Sequence, residues 1–363
     1  MQMEDLRMTL STSPTTLAAG GAAWLSGQRN ARGEWRPQAP ITLPPIASWP
    51  PRPLALLKWM FGFPGFLWPM NSLFLAMTLL TWLFLTPALA SMRTFELWWI
   101  GVLFARNFAL VLLVAGGLHL YLHIFRGQGE NLQFSNRPLI TGSTRTLFGK
   151  RFLWGDQVID NMLRTLGAGV PVITAYEAVT YWAFSNGYIG ITGSAASPAG
   201  FWVAFVLVLL AAPVIHALHF YLAHRLLHTK LLYRSAHCVH HLNVECGPWS
   251  GLAMHPVEQV LYFSTVLVQW LLALHPVHAL FQIHLAIFPA LVGHSGFEKL
   301  LLWRGIGLES GNYFHYLHHK YFECNYGGSL APLDTVFGTF HDGSAAAQVA
   351  MRERMLARRG ADT

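Results

Sequence analysis

Charge is scarce in this chain: lysine, arginine, aspartate and glutamate together make up 11% of 363 residues, against roughly a quarter in a soluble domain. With 53% hydrophobic residues beside so few charges, the apolar surface exceeds what a water-exposed globule can hide, which excludes an ordinary soluble enzyme. Cysteine is scarce too. Cys238, Cys246 and Cys324 are odd in number, lack the spacing of a metal ribbon, and predict reduced cytosolic thiols over a disulfide framework. No Asn-x-Ser/Thr acceptor occurs, so nothing points to an exposed lumenal or extracellular domain. The 24 basic residues outnumber the 17 acidic ones, yet they lie scattered between apolar stretches. That distribution suits a lipid surface and argues against nucleic acid as a partner.

Long hydrophobic runs are what the chain does have. Residues 1–52 are rich in Ser, Thr, Gly and Pro, end in Pro44, Pro45, Pro50 and Pro51, and read as a flexible Pro-rich leader. Apolar stretches of span length follow at about Phe66–Leu89, Leu97–Phe125, Met162–Phe184 and Phe201–Leu222, each long enough to cross a hydrocarbon layer of ~30 Å. A fifth region, Val257–Val292, is too long for one span, breaks at His275 and Pro276, and reads as a helical hairpin. The expected fold is therefore all-α, a multi-pass transmembrane bundle with a cytoplasmic histidine-rich helical cap. Residues 53–200 form its N-terminal transmembrane region, 201–342 its catalytic domain and 343–363 a basic C-terminal tail.

Loop charge sets the expected orientation. Arg126, Arg137, Arg145, Lys150 and Arg151 fall between the second and third spans, whereas Ser185–Gly200 carries no charge. Basic loops stay on the cytoplasmic side, which puts both termini and every histidine motif on that face, in the endoplasmic reticulum of a eukaryote or the inner membrane of a bacterium.

Eighteen histidines are present. His224 and His228 stand four apart at the end of the fourth span; His-Cys-Val-His-His supplies His237, His240 and His241; His-Tyr-Leu-His-His repeats the spacing as His315, His318 and His319. On a helix, positions i, i+3 and i+4 share one face, so each box can aim two or three imidazoles at a common centre. Imidazole suits iron, zinc and copper. Eight to ten such rings can complete two metal shells and leave a position open for oxygen. A membrane cytochrome would instead place facing histidine pairs within spans. A zinc protease would need a glutamate where Arg225 stands. A non-catalytic metal-binding protein is the remaining rival.

These boxes resemble the fatty acid hydroxylase superfamily, which includes sterol desaturases and C-4 methylsterol oxidases. The likeness runs from Tyr221 to Phe340 and takes in Gly-Pro-Trp-Ser-Gly-Leu-Ala-Met-His-Pro-Val-Glu around His255 and Gly-His-Ser-Gly around His294. It closes on Phe322-Glu-Cys-Asn-Tyr-Gly and Leu333-Asp-Thr-Val-Phe-Gly-Thr. The resemblance implies a di-iron, O2-dependent hydroxylase or desaturase acting on a lipid, leaning to a sterol, with a fatty acyl or sphingolipid substrate as the alternative. It implies His224, His228, His237, His240, His241, His315, His318 and His319 as ligands, with His255 and His294 as additional ones. Some relatives place a second histidine four residues before the one in His-Ser-Gly; here that residue is Ala290. His284 does not substitute, being ten residues, or ~15 Å of helix, from His294. Asp334 and Glu258 are expected acceptors for the far ring nitrogens of ligands. His216, His219, Arg106 and Glu177 are buried candidates within spans, and His119 with His123 reads as an interfacial pair. No haem-binding His-Pro-Gly-Gly or nucleotide-binding glycine motif accompanies the boxes. Electrons are therefore expected from a separate reductase or carrier, cytochrome b5-like or ferredoxin-like.

Overall fold

Prolines and polar caps set where the helices begin. Pro198 opens helix α6 (Pro198–Leu227) behind Ser197, whose hydroxyl accepts from Gly200 N at 3.2 Å. Pro276 opens α10 (Pro276–Gly293) behind His275, whose Nδ1 accepts from Val277 N. The computed structural model describes residues 27–142, 152, 154–190, 197–301, 307–309, 312–328, 330 and 332–361. Residues 1–26 of the leader and the basic residues Arg145, Lys150 and Arg151 lie outside them.

In chain order the elements are a hairpin of β1 (Gly27–Arg29) and β2 (Trp35–Pro37), then α1 (Pro53–Phe61), α2 (Met70–Leu85) and α3 (Leu97–Ile124). Helix α4 (Gln157–Arg164) runs through a π-helical turn, Thr165–Gly169, into α5 (Val170–Ser185). After α6 come α7 (Lys230–Ser235), two 3-10 turns at His237–Leu242 and Pro248–Leu252, α8 (Pro256–Phe263), α9 (Val266–Leu272) and α10. A second hairpin, β3 (Lys299–Leu301) with β4 (Gly307–Glu309), precedes α11 (Tyr313–Tyr321), α12 (Leu333–Val336) and α13 (Ala345–Ala361). The protein is mostly helical.

Among the described residues, three helices are long and apolar enough to cross a membrane: α3, α6 and α10. They are used differently. Only 17% of the most apolar window of α6 is buried, against 83% for α10, so α6 offers its apolar surface to lipid and α10 is the central post. Around that post pack Phe74 of α2, Ile173 of α5, Ala212 of α6 and Trp249. The Pro248–Leu252 turn comes so close that a Cβ on Gly251 would stand 2.2 Å from Ala290 O. The fifth apolar region does break at His275–Pro276. Its first arm, however, is two short helices of 8 and 7 residues, α8 and α9, divided at Ser264–Thr265; α2, with 16 residues, is short as well.

Arg106 of α3 and Glu177 of α5 form a buried ion pair, with Asn107 Nδ2 donating to Glu177 Oε2 at 2.9 Å and Arg106 Nη1 to Thr86 Oγ1 at 3.0 Å. In an apolar bundle each charge needs the other, so the pair clamps two helices together. His284 donates to or accepts from Thr78 Oγ1 at 2.8 Å and faces α2.

From Gly27 onward the leader segment carries structure, because its aromatic and charged residues find partners far along the chain. Trp35 packs edge-on against Tyr313 at 5.8 Å, and its backbone N–H donates to Phe134 O at 2.9 Å. Glu34 pairs with Lys320 at 2.7 Å. Met351 of α13 joins the same cluster, so both ends of the described chain brace α11. The three cysteines are free thiols.

Candidate metal centre

Four pieces of chain carry the histidines together. The last turns of α6 bring His224 and His228, the first 3-10 turn brings His237, His240 and His241, the end of α10 brings His294, and α11 brings His315, His318 and His319. Two groups result: His224, His228, His237, His241 and His318 in one, His240, His294, His315 and His319 in the other, with the ring nitrogens of each group within 4.8 Å of one another. The middle box is therefore split, since His240 turns away from His237 and His241.

Hydrogen bonds on the far side of four of the rings decide what those rings turn inward. His224 Nδ1 donates to Tyr326 O at 2.6 Å, His237 Nδ1 to Glu258 Oε1 at 2.7 Å, His318 Nδ1 to Cys324 O at 2.7 Å and His294 Nδ1 to Ala290 O at 2.8 Å. Carbonyls and carboxylates only accept, so each of these neutral rings carries its proton on Nδ1 and a bare lone pair on Nε2. His224 Nε2 nevertheless stands 3.0 Å from His237 Nε2, two lone pairs face to face. Further Nε2–Nε2 separations are 3.1 Å for His318–His241, 3.1 Å for His294–His319 and 3.2 Å for His315–His294. Between His224 and His237, both protonated on Nδ1, such spacing is repulsive when the rings are bare. It is what two imidazoles bound at right angles to one ion at ~2.1 Å would show, about 3 Å. The donor set, all nitrogen and buried apart from the half-buried His228, suits transition-metal ions.

Burial holds His228, His237, His240, His241, His315, His318 and His319 well below the ordinary imidazole value, neighbouring imidazoles pushing the same way. The same desolvation brings His294 down to about 4. The rings stay neutral and available as donors through the physiological range.

Nine of the ten expected ligands are thus brought together. His255 is not: it caps α8, its Nδ1 accepting from Val257 N at 3.3 Å, because Pro256 starts a helix there and turns the ring to the helix end. Glu258 acts as expected of it. Asp334 works one step removed, accepting from Tyr326 N at 2.9 Å, Gly327 N at 2.7 Å and Thr339 Oγ1 at 2.5 Å. It thereby fixes the loop whose Tyr326 carbonyl holds His224. Two supports escape sequence reasoning. Asn325, at φ +54°, bridges Phe314 O and His341 O and lies between the Cys324 and Tyr326 carbonyls. Asn243 Oδ1 accepts from Gln157 Nε2 at 2.9 Å and Asn161 Nδ2 at 2.7 Å, tying the split box to α4. An asparagine inside each motif is the only local sign of either. His119 and His123 stack on each other outside both groups, His123 Nε2 bonding Ser295 O at 2.9 Å.

A cavity of about 240 Å³ opens beside the histidines, walled by Ala217, Phe220, Met254, Leu285 and Pro289 and reaching His224, His240, His294 and His315. Ala290 lies on its wall.

The fold and this site define a membrane protein organised around a buried histidine cluster suited to metal. Over residues 208–339 the chain matches the family Fatty acid hydroxylase, a likeness over this segment to the fatty acid hydroxylase / sterol desaturase superfamily. Its relatives include the Delta(7)-sterol 5(6)-desaturase of Candida glabrata, 30% identical over 123 residues, 33% of this chain and 32% of that one. A very-long-chain aldehyde decarbonylase of Oryza sativa subsp. japonica is 29% identical over 188 residues, covering 50% and 68%. The Delta(7)-sterol-C5(6)-desaturase of Nicotiana tabacum is 30% identical over 146 residues, covering 39% and 52%. The chain thus spans about a third of the yeast enzyme and about half of the tobacco one. No solved structure matches it.

Proposed function

We propose that this chain is a di-iron, O2-dependent membrane oxidoreductase that hydroxylates or desaturates a lipid, a sterol being the leading substrate class. The observation that carries the reading is the convergence of nine histidines, five and four, on the inner end of an apolar cavity. In this reading the nine rings are the ligands and residues 201–342 the catalytic unit. Two iron ions with O2 supply the oxidising power for an unactivated C–H bond that no side chain provides.

The chain's own residues do the rest. Glu258 Oε1 keeps the proton of His237 on Nδ1, the Tyr326 and Cys324 carbonyls do the same for His224 and His318, and so four helices and turns hold a preset donor geometry. Phe220, Met254 and Leu285 present an apolar wall that takes a lipid and excludes water. Glu258, which lines the cavity, keeps Oε2 without a partner, an acceptor beside the reacting centre. Electrons come from a separate carrier, cytochrome b5-like or ferredoxin-like, and the histidine groups and both termini lie on the cytoplasmic face.

A second reading, a long-chain acyl or aldehyde substrate, is favoured by the wider coverage of the rice relative than of the yeast and tobacco desaturases. The deciding experiment expresses the chain with a reductase system, supplies sterols, acyl lipids and long-chain aldehydes, and reads O2-dependent products by mass spectrometry. Sterol products that vanish in His240→Ala and His318→Ala support the first reading. Turnover that survives both substitutions removes the metal assignment.

A further inference from the structure

The cavity has a polar atom at the end away from the metal centre that nothing yet described uses. His216 of α6 lines it. Its neighbours are aromatic, Phe220 stacked at 6.2 Å and Tyr262 edge-on at 6.1 Å. Neither of its ring nitrogens makes a hydrogen bond, and Nδ1 is enclosed without a partner. Three other histidines of α6 and α10 each make at least one hydrogen bond, His219 Nε2 with Ser264 Oγ at 2.9 Å, His278 Nε2 with Phe205 O at 3.0 Å and His284 Nδ1 with Thr78 Oγ1 at 2.8 Å, although His219 Nδ1 and His284 Nε2 are also enclosed without a partner; His216 is the one of the four that makes none. An imidazole left unpaired in an apolar bundle is costly unless a ligand completes it.

Most of the remaining polar groups on the cavity wall are committed, and the unpartnered Glu258 Oε2 and His240 Nδ1 lie at the metal end. Tyr262 OH donates to Ala286 O at 2.7 Å, Asn71 Nδ2 to Phe66 O at 2.8 Å, Asn312 Oδ1 accepts from His315 N at 3.1 Å, and Glu258 belongs to the metal end through His237. His216 stands eight residues before His224 on one helix, about 12 Å along its axis. A molecule that fills the cavity therefore meets the metal centre at one end and a single imidazole at the other.

We propose that His216 is a specificity-determining residue that hydrogen-bonds a hydroxyl or carbonyl oxygen of the lipid, about 12 Å from the carbon that reacts. This rests on the cavity being the lipid site. The substrate class is then narrowed to lipids with one neutral oxygen remote from the oxidised position. Such an atom orients a chain or ring system that apolar walls alone would let slide.

The test measures equilibrium binding, not turnover, on the iron-loaded full chain in detergent micelles. The probes are two matched pairs, cholesterol with cholestane and 1-octadecanol with octadecane. The wild type is expected to prefer the alcohol of at least one pair about tenfold, equivalent to ~1.4 kcal/mol. His216→Phe is expected to bind both members of that pair alike, and His216→Gln, which restores a donor and an acceptor, to recover most of the preference. Iron per chain is expected to be equal in all three. No preference in the wild type, a preference that persists in His216→Phe, or iron lost from that variant overturns the proposal. A preference confined to the alkanol pair supports the handle while removing the sterol from the functional reading, and a preference in a protein that takes up no iron supports it while removing the di-metal reading.

Discussion

The two histidine groups are built from the same residue type and the same spacings, yet they differ in completeness. The five-membered group takes both histidines of the first box, two of the second and one of the third, and three of its rings are locked by Tyr326 O, Glu258 and Cys324 O. The four-membered group has one ring fewer. Its His294 is held by the carbonyl of Ala290, and the side chain at 290 is a methyl on the cavity wall. Both groups reach the cavity, the four-membered one through His240, His294 and His315 and the five-membered one through His224 and His237. The difference is one of donor number, five imidazoles against four.

The sharpest way to break this comparison is to remove one ring from each group. His318→Ala and His240→Ala are each expected to lower turnover more than about 100-fold, beyond what loss of a supporting partner costs, and metal analysis is expected to fall from two ions per chain toward one. Equal retention of two ions in both variants would undo the grouping. Glu258→Gln keeps the shape but weakens the acceptor for His237. It should cost about 10- to 100-fold in metal affinity, read by chelator competition, with loss confined to the five-membered group.

Asp334→Ala acts through the backbone. It leaves the Tyr326 and Gly327 amides unpaired, costing about 1–3 kcal/mol of stability, visible as a lower melting temperature before any change in metal stoichiometry. Acid is expected to work on the metal-free protein in a defined direction. His294 titrates at about 4 when folded against an ordinary 6.5, so between these values the unfolded chain binds protons that the folded one does not. Stability present above pH 6.5 is lost as pH falls toward 4, and a melting temperature independent of pH in that window would contradict the burial of the cluster. The smallest effect sharpens the comparison from the other side. Ala290→His adds a fifth ring to the four-membered group and is expected to slow loss of its ion to a chelator by a few-fold, roughly one weak hydrogen bond's worth.

Much of this was legible along the chain. The histidine spacings and the break at His275–Pro276 follow from local rules, helical periodicity and proline's missing N–H, whereas Arg106 and Glu177 stood out only as buried charges whose pairing the packing decided. His255 shows where such rules stop. A His-Pro step reads equally well as a ligand or as a helix cap, and only the direction of α8 turned it into a cap. The leader is similar, since nothing near Trp35 foretells that Tyr313, 278 residues on, will cover it.

By itself the sequence determined that this protein belongs in a membrane and that imidazoles recur at helical spacing, because composition and periodicity are properties of neighbours in the chain. The tertiary structure alone decided how those imidazoles divide into five and four, which backbone carbonyls fix their tautomers, and which cavity they face. Those choices depend on contacts between residues up to 102 positions apart, as between His224 and the Tyr326 carbonyl, and a one-dimensional pattern carries no direction for a side chain until the helices that bear it have packed.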